Sequence, residues 1–137
     1  MRFEQMFHFP REARYLRRMF KEALEAVVMG AEGGLAGLLM DFQGVAVESF
    51  TKEGATFDVD TIGAEYSVVI KSIQRAAESL EAGDAREVAV VADKMITVFR
   101  VVNAEYFVAL ALAPDANVGK ARYLLRTAVP KLVAELE

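Results

Sequence analysis

A glycine–lysine pair is the strongest candidate for phosphate chemistry in this sequence. Gly119-Lys120 resembles the end of a phosphate-binding loop, in which an earlier glycine and a following Ser or Thr are also required. Pro114 stands where that first glycine belongs, and Ala121 stands where the Ser or Thr belongs. No G-x-G-x-x-G pattern occurs either. We therefore interpret the pair as a helix N-terminus with an exposed lysine.

Two pairs of carboxylates could serve acid–base catalysis. They are Asp58 with Asp60 and Glu48 with Glu53. Helix capping accounts for the first pair, and solvated strand and loop positions account for the second. The single histidine, His8, lies between two phenylalanines near the N-terminus. The sequence therefore predicts no catalytic residue.

Composition excludes several further kinds of site. The 137 residues include no cysteine and one histidine, which excludes a disulfide framework, a Cys-based zinc site, a thiol nucleophile and a multi-histidine metal site. We expect no metal and no cofactor. The longest stretch without a formal charge, Tyr106–Pro114, is too short for a membrane-spanning helix, which needs about 20 residues. Charged residues from Arg2 to His8 interrupt any signal-peptide core, so we expect a cytoplasmic protein without membrane insertion.

Charge is unevenly distributed along the chain. Residues 1–21 carry six basic and two acidic groups, residues 22–93 carry four and fourteen, and residues 94–137 carry six and four. Nucleic-acid binding needs clustered Lys and Arg to neutralise phosphates, and the acidic centre argues against such a groove. We therefore expect no nucleic-acid partner.

Hydrophobic periodicity and turn residues predict an α+β domain with the order α-β-β-α-β-β-β-α. The predicted helices run from Pro10 to Gly30, from Asp58 or Asp60 to Leu80, and from Asn117 to about Leu136. The predicted strands are Leu35–Phe42, Val45–Thr51, Arg86–Ala92, Met95–Val102 and Glu105–Ala113. A five-stranded antiparallel sheet between helical layers follows. Residues 11–137 form this domain, and residues 1–10 form an N-terminal extension rich in apolar side chains.

Three of these elements support finer predictions. The last strand is apolar on both faces, which places it inside a sheet that is covered on both sides. The final helix contains Pro130, which predicts a kink or two shorter segments. The second helix carries a predicted core stripe of Ile62, Tyr66, Val69, Ile73, Ala76 and Leu80. The final helix carries a predicted core stripe of Val118, Ala121, Leu125, Ala128, Leu132 and Leu136.

Beside the predicted core stripe of the second helix lies a face of small, polar and charged residues with one larger apolar residue, Val68. We interpret it either as an ordinary half-solvated face or as a contact with a partner, because small residues permit close approach. The third strand has apolar Val88 and Val90 and no proline, so at a sheet edge it would be a template for pairing. The candidate dimer or partner interface is therefore Ala64, Ser67, Val68, Lys71, Ser72, Arg75, Val88 and Val90.

Two local motifs resemble the Roadblock (dynein light chain type) family. One is the hairpin Leu38–Val47, with Asp-Phe-Gln-Gly between its strands. The other is Asn117-Val-Gly119-Lys-Ala-Arg122, which is similar to the family's Asn-x-Gly-x-x-Arg motif at the start of its last helix. Within the family, the chain most resembles the MglB/MglC type of bacterial gliding-motility and polarity systems. The N-terminal extension departs from the family pattern.

This resemblance implies a homodimer whose sheets join through the third strand, with the second helices packed antiparallel. It also implies binding to a small Ras-like GTPase, often across the paired helices, with stimulation of hydrolysis by repositioning the GTPase's own residues. The alternative hypothesis is a structural adaptor that binds another Roadblock protein or a scaffold without affecting GTP turnover. A small-molecule sensor is a third hypothesis, and an enzyme is the last.

Overall fold

The computed structural model describes residues 10–136 and has the predicted order α-β-β-α-β-β-β-α. The helices are α1 (Pro10–Gly30), α2 (Val59–Ser79) and α3 (Val118–Leu136). The strands are β1 (Gly34–Asp41), β2 (Ala46–Thr51), β3 (Glu87–Val91), β4 (Ile96–Val101) and β5 (Tyr106–Leu112). The predicted fold class is confirmed. The predictions for His8 and for the extension before Pro10 lie outside the described residues.

The five strands form one antiparallel sheet in the order β2-β1-β5-β4-β3. The prediction that β5 lies inside a doubly covered sheet is confirmed, because β5 is the central strand. Val108 and Leu110 belong to the hydrophobic cluster under α1 and α3. Phe107 and Ala109 belong to the cluster on the other face, under α2. The period of two along a strand thus divides one apolar sequence between two cores.

Helix α2 lies close to the sheet because a glycine faces it. A Cβ on Gly63 would collide with Leu38 and lie 2.9 Å from the Sδ of Met40, both on β1. At the start of the helix, Asp58 is the N-cap, since its carboxylate accepts a hydrogen bond of 3.0 Å from the backbone N–H of Asp60. The sequence had left the choice between these two aspartates open.

The predicted core stripe of α2 is wrong by a rotation about the helix axis. The buried residues are Val59, Gly63, Ser67 and Ile70. Small side chains at Gly63 and Ser67 let the helix approach the sheet on this side. Of the predicted stripe, Val69, Ala76 and Leu80 are exposed instead, and the remaining three members are half-buried.

The predicted core stripe of α3 is confirmed. Ala121, Leu125, Ala128 and Leu132 are buried, and Val118 and Leu136 are half-buried against the same cluster. The helix continues through Pro130 as one element, so the alternative of two shorter segments is wrong. Burial on both sides of the exposed proline holds the two halves against one core. Within residues 10–136, no helix is long and apolar enough to cross a membrane.

Candidate functional site

Strand β3 forms one edge of the sheet, as the family resemblance implied. It hydrogen-bonds to β4 on one side, and the sheet order places no strand of residues 10–136 on its other side. The strand contains no proline that would block further pairing. Its outward backbone N–H and C=O groups are therefore available to another strand.

The face of β3 that lies on the α2 side is apolar. Val88 pairs with Phe99 and Val90 pairs with Thr97, so both valines share the face of the cluster under α2. Both are half-buried. Helix α2 packs over β1 and β2, so its body leaves the β3 end of this face less covered.

One side of α2 is directed towards this less covered end. Tyr66 contacts the ring of Phe99 on β4, with the ring centroids 5.1 Å apart. Val69, Ile73, Ala76 and Leu80 follow Tyr66 at helical spacing on the same side. Val69 is 47% exposed and Leu80 is 78% exposed. We call these four residues, together with Val88 and Val90, the apolar trough.

A second exposed surface on α2 points away from the sheet. It contains Ala64, Val68, Ser72 and Arg75, and Val68 is 65% exposed. We call these four residues the outer face. Its members belong to the interface predicted from sequence, as does the half-buried Lys71.

Ser67 requires a correction to that predicted interface. Its side chain is only 4% exposed and lies on the face of α2 that packs against the sheet. Its Oγ donates a hydrogen bond of 2.8 Å to the backbone carbonyl of Ala64, one turn earlier. Because the hydroxyl is satisfied within the helix, Ser67 fits the core, and it cannot line a partner surface.

On the opposite face of β3, Glu87 joins the edge strand to α3. The Oε2 atom of Glu87 accepts from Nε of Arg122 at 2.6 Å and lies 2.5 Å from Nη2 of the same residue. Nη1 of Arg100, on β4, lies 3.6 Å from Oε1. Glu87 is only 12% exposed, so this ion cluster is shielded from solvent on the carboxylate side. Sequence reasoning missed Glu87, although an acidic residue at the start of an apolar edge strand was a usable signal.

The Asn-x-Gly-x-x-Arg motif contributes to this cluster. The Oδ1 atom of Asn117 accepts from the backbone N–H of Lys120 at 3.1 Å, which caps the first turn of α3. Arg122 follows in the next turn, and its guanidinium contacts Glu87. A Cβ on Gly119 would meet only the Oδ1 of Asn117, at an ordinary 3.6 Å, so space alone does not require glycine here. Of the three motif residues, Asn117 thus caps α3 and Arg122 attaches the helix to the sheet edge.

The residues that could have done chemistry are not brought together. Glu48 pairs with Arg17 of α1 at 3.2 Å, while Glu53 lies exposed in a loop and Lys120 is exposed on α3. Within residues 10–136, no group of three His, Cys, Asp or Glu side chains is placed to hold a metal ion. Burial, assisted by the charges of Glu105 and Asp41, raises the pKa of Tyr106 above its usual value.

Solved structures resemble this chain over most of its length. The crystal structure of MglC from Myxococcus xanthus shares 41% sequence identity, and the match covers 83% of this chain and 96% of that chain with a TM-score of 0.61. A Roadblock/LC7 domain from Streptomyces avermitilis shares 15% identity over 85% of this chain and 96% of its own, with a TM-score of 0.75. A structure of MglB with a tetrameric arrangement shares 18% identity over 88% of this chain and 89% of its own, with a TM-score of 0.80. No family model and no curated protein matches the chain.

Proposed function

Because the chain belongs to the Roadblock/LC7 family, which includes MglC, we propose that it is a non-enzymatic homodimeric regulator of a small Ras-like GTPase in bacterial polarity or motility signalling. The observation that supports this proposal most directly is the apolar trough beside a free strand edge. Exposed apolar residues of this kind are typical of a surface that associates. The second copy of the chain and the GTPase then have separate places to bind, the apolar trough for the second copy and the outer face of α2 for the GTPase.

The second copy pairs along β3. Antiparallel pairing of two β3 edges about a two-fold axis perpendicular to the sheet produces one continuous sheet of ten strands from two sheets of five. That symmetry places both α2 helices on the same face of the sheet. The α2 helix of each copy then covers the trough valines, Val88 and Val90, of the other. Burial of the exposed Val69 and Leu80 adds a hydrophobic contribution of about 25 cal/mol per Å².

The GTPase binds across the outer faces of the paired α2 helices. This surface offers an apolar centre at Val68, a positive charge at Arg75, and small residues at Ala64 and Ser72 that permit close approach. The regulator acts by repositioning the GTPase's own catalytic residues. That mechanism requires a complementary surface from this chain and no catalytic group.

The test is GTP turnover by the Ras-like GTPase encoded in the same genome, measured with and without this chain. We expect saturable binding and a changed turnover rate with the wild-type chain. Val68→Asp should remove both effects while leaving the dimer intact, because residue 68 lies on the outer face and outside the trough. A lack of binding by the wild-type dimer would contradict GTPase regulation.

A structural adaptor is the second candidate function. The backbone N–H and C=O groups of the β3 edge can pair with any strand edge, so a different Roadblock protein can take the place of the second copy. In that case the chain binds a second Roadblock protein, and GTP turnover stays the same when the GTPase is added. Co-purification with the other Roadblock proteins of the same genome, followed by the turnover assay, distinguishes the two functions.

A further inference from the structure

The helices on the two faces of the sheet differ in charge. Among the described side chains of α1 and α3, six basic ones are exposed and outside the ion pairs described above: Arg14, Arg18, Lys21, Lys120, Arg126 and Lys131. Three exposed acidic side chains, Glu22, Glu25 and Glu135, share this surface, which leaves a net charge of +3. The other two arginines with described side chains on these helices, Arg17 and Arg122, are engaged with glutamates of the sheet.

Helix α2 has the opposite balance. It carries Lys71 and Arg75 against Asp60, Glu65 and Glu78, a net charge of −1. The charge separation therefore runs across the sheet, from a basic α1/α3 face to a weakly acidic α2 face. The basic face forms only after folding, because its residues lie on the first and last helices of the chain.

Exposed aromatic and apolar side chains accompany the basic ones. Tyr15 of α1 is 56% exposed, Tyr123 of α3 is 56% exposed and Met29 of α1 is 57% exposed. Tyrosine is favoured at membrane–water interfaces because its ring is apolar and its hydroxyl is polar. Lysine and arginine at the same surface attract anionic headgroups.

The proposed homodimer enlarges this face. A two-fold axis perpendicular to the joined sheet places the α1/α3 layers of both copies on the same side, opposite the α2 helices. The exposed side chains counted above then give that side a net charge of +6, since each copy contributes +3. Four helices then present one broad basic layer, which matches an extended anionic surface better than it matches a single peptide.

We propose that the α1/α3 face docks on the anionic headgroups of a lipid bilayer without inserting into it. Each basic residue near such a surface contributes about 1 kcal/mol, so one copy binds weakly and the dimer binds more strongly. Docking in this orientation leaves the outer faces of α2 directed away from the membrane. The chain could then hold a GTPase at the membrane surface. The stronger binding expected of the dimer rests on the proposed homodimer, which enlarges the basic layer.

Vesicle co-sedimentation tests the proposal. The probes are phosphatidylcholine vesicles with and without phosphatidylglycerol, at low and at physiological salt. We expect the wild-type chain to sediment with the anionic vesicles only, and less so as salt rises. Arg18→Glu/Arg126→Glu should weaken binding by about tenfold or more. The matched control Lys52→Glu/Lys94→Glu makes the same charge change on exposed loops and should keep wild-type binding.

Other outcomes overturn the proposal. Wild-type protein that stays in solution with anionic vesicles contradicts it, and so does an equal loss in the loop control. Binding to polyglutamate but not to vesicles at the same salt assigns the face to an acidic protein. Light scattering on the same samples reports the oligomeric state separately. If the wild-type chain is monomeric, the homodimer is wrong, while the contrast between the two double variants still tests the lipid-binding face.

Discussion

The two faces of the sheet are covered to different extents. On one face, α1 and α3 pack side by side, and the contact of α3 with β4 extends the covered area towards the β3 edge. On the other face, α2 alone packs over β1 and β2, and it leaves an apolar trough beside β3. The face under α1 and α3 is covered within one chain except at its β3 edge, where Val91 is 75% exposed. The other face would be covered by a second chain in the proposed homodimer. Stability should therefore depend mainly on the first face and association on the second.

The largest expected effect is on the face under α1 and α3. Leu125 is fully buried between α3 and the sheet, so Leu125→Ala should lower the free energy of unfolding by about 2–5 kcal/mol. Leu80→Ala, which truncates the same side chain at an exposed position, should change it by less than about 0.5 kcal/mol in the monomer. Guanidinium denaturation at low protein concentration measures both values. Equal losses would remove the distinction between the two faces.

The next effect concerns association, and two adjacent residues test it. Val69→Asp places a charge in the apolar trough and should weaken the dimer by at least about 2 kcal/mol, or roughly thirtyfold in Kd. Val68→Asp makes the same change on the outer face and should leave the dimer Kd unchanged. Sedimentation equilibrium over a dilution series measures both. Dissociation by Val68→Asp alone would show that the outer face is the dimer interface.

A smaller effect is expected where α3 meets the edge strand. Arg122→Ala should lower the free energy of unfolding by about 1 kcal/mol, because Glu87 keeps only its longer contact with Arg100 while the arginine itself is half-exposed. Arg126→Ala, on the same helix and exposed, is the matched control. Amide hydrogen exchange should show faster opening of β3 in the first variant only. Similar exchange in both variants would mean that the ion cluster does not hold the edge.

The smallest effect is a pH dependence at the face under α1 and α3. Tyr106 packs against the cluster under α1 and α3, and its pKa in the folded state lies above the usual value of 10.0. The folded chain therefore holds this proton more tightly than the unfolded chain does. The contribution of Tyr106 to stability is fully present below pH 10.0 and is lost as the pH rises through the folded-state pKa. Denaturation curves should show a smaller alkaline loss in Tyr106→Phe, and an identical loss would contradict the assignment.

Much of the fold could be predicted from local sequence patterns. The alternation in β5 identified a strand with two buried faces, and the period of α3 identified its buried residues. The start of the last helix at Asn117 was predicted to within one residue, because the Asn117 side chain caps the first turn of α3. These predictions succeeded because the interactions concerned lie within one element.

The site was less predictable. The sequence shows that Val69 and Leu80 belong to an apolar stripe, and such a stripe ordinarily faces the core. In the folded chain, Gly63 and Ser67 face the sheet, and the stripe lies at the side of the helix. Glu87 was missed for a related reason, since its partner Arg122 is distant in sequence and reaches it only when α3 docks.

The sequence by itself determined the order and type of the elements and the absence of cysteine chemistry. Periodicity and turn residues act within a few positions, so one chain is enough to recognise them. The tertiary structure decided which side of α2 is buried, where unburied apolar side chains collect, and which charges share a face. Those properties depend on distances between elements, and the packing of α2 through Gly63 and the docking of α3 through Arg122 set these distances.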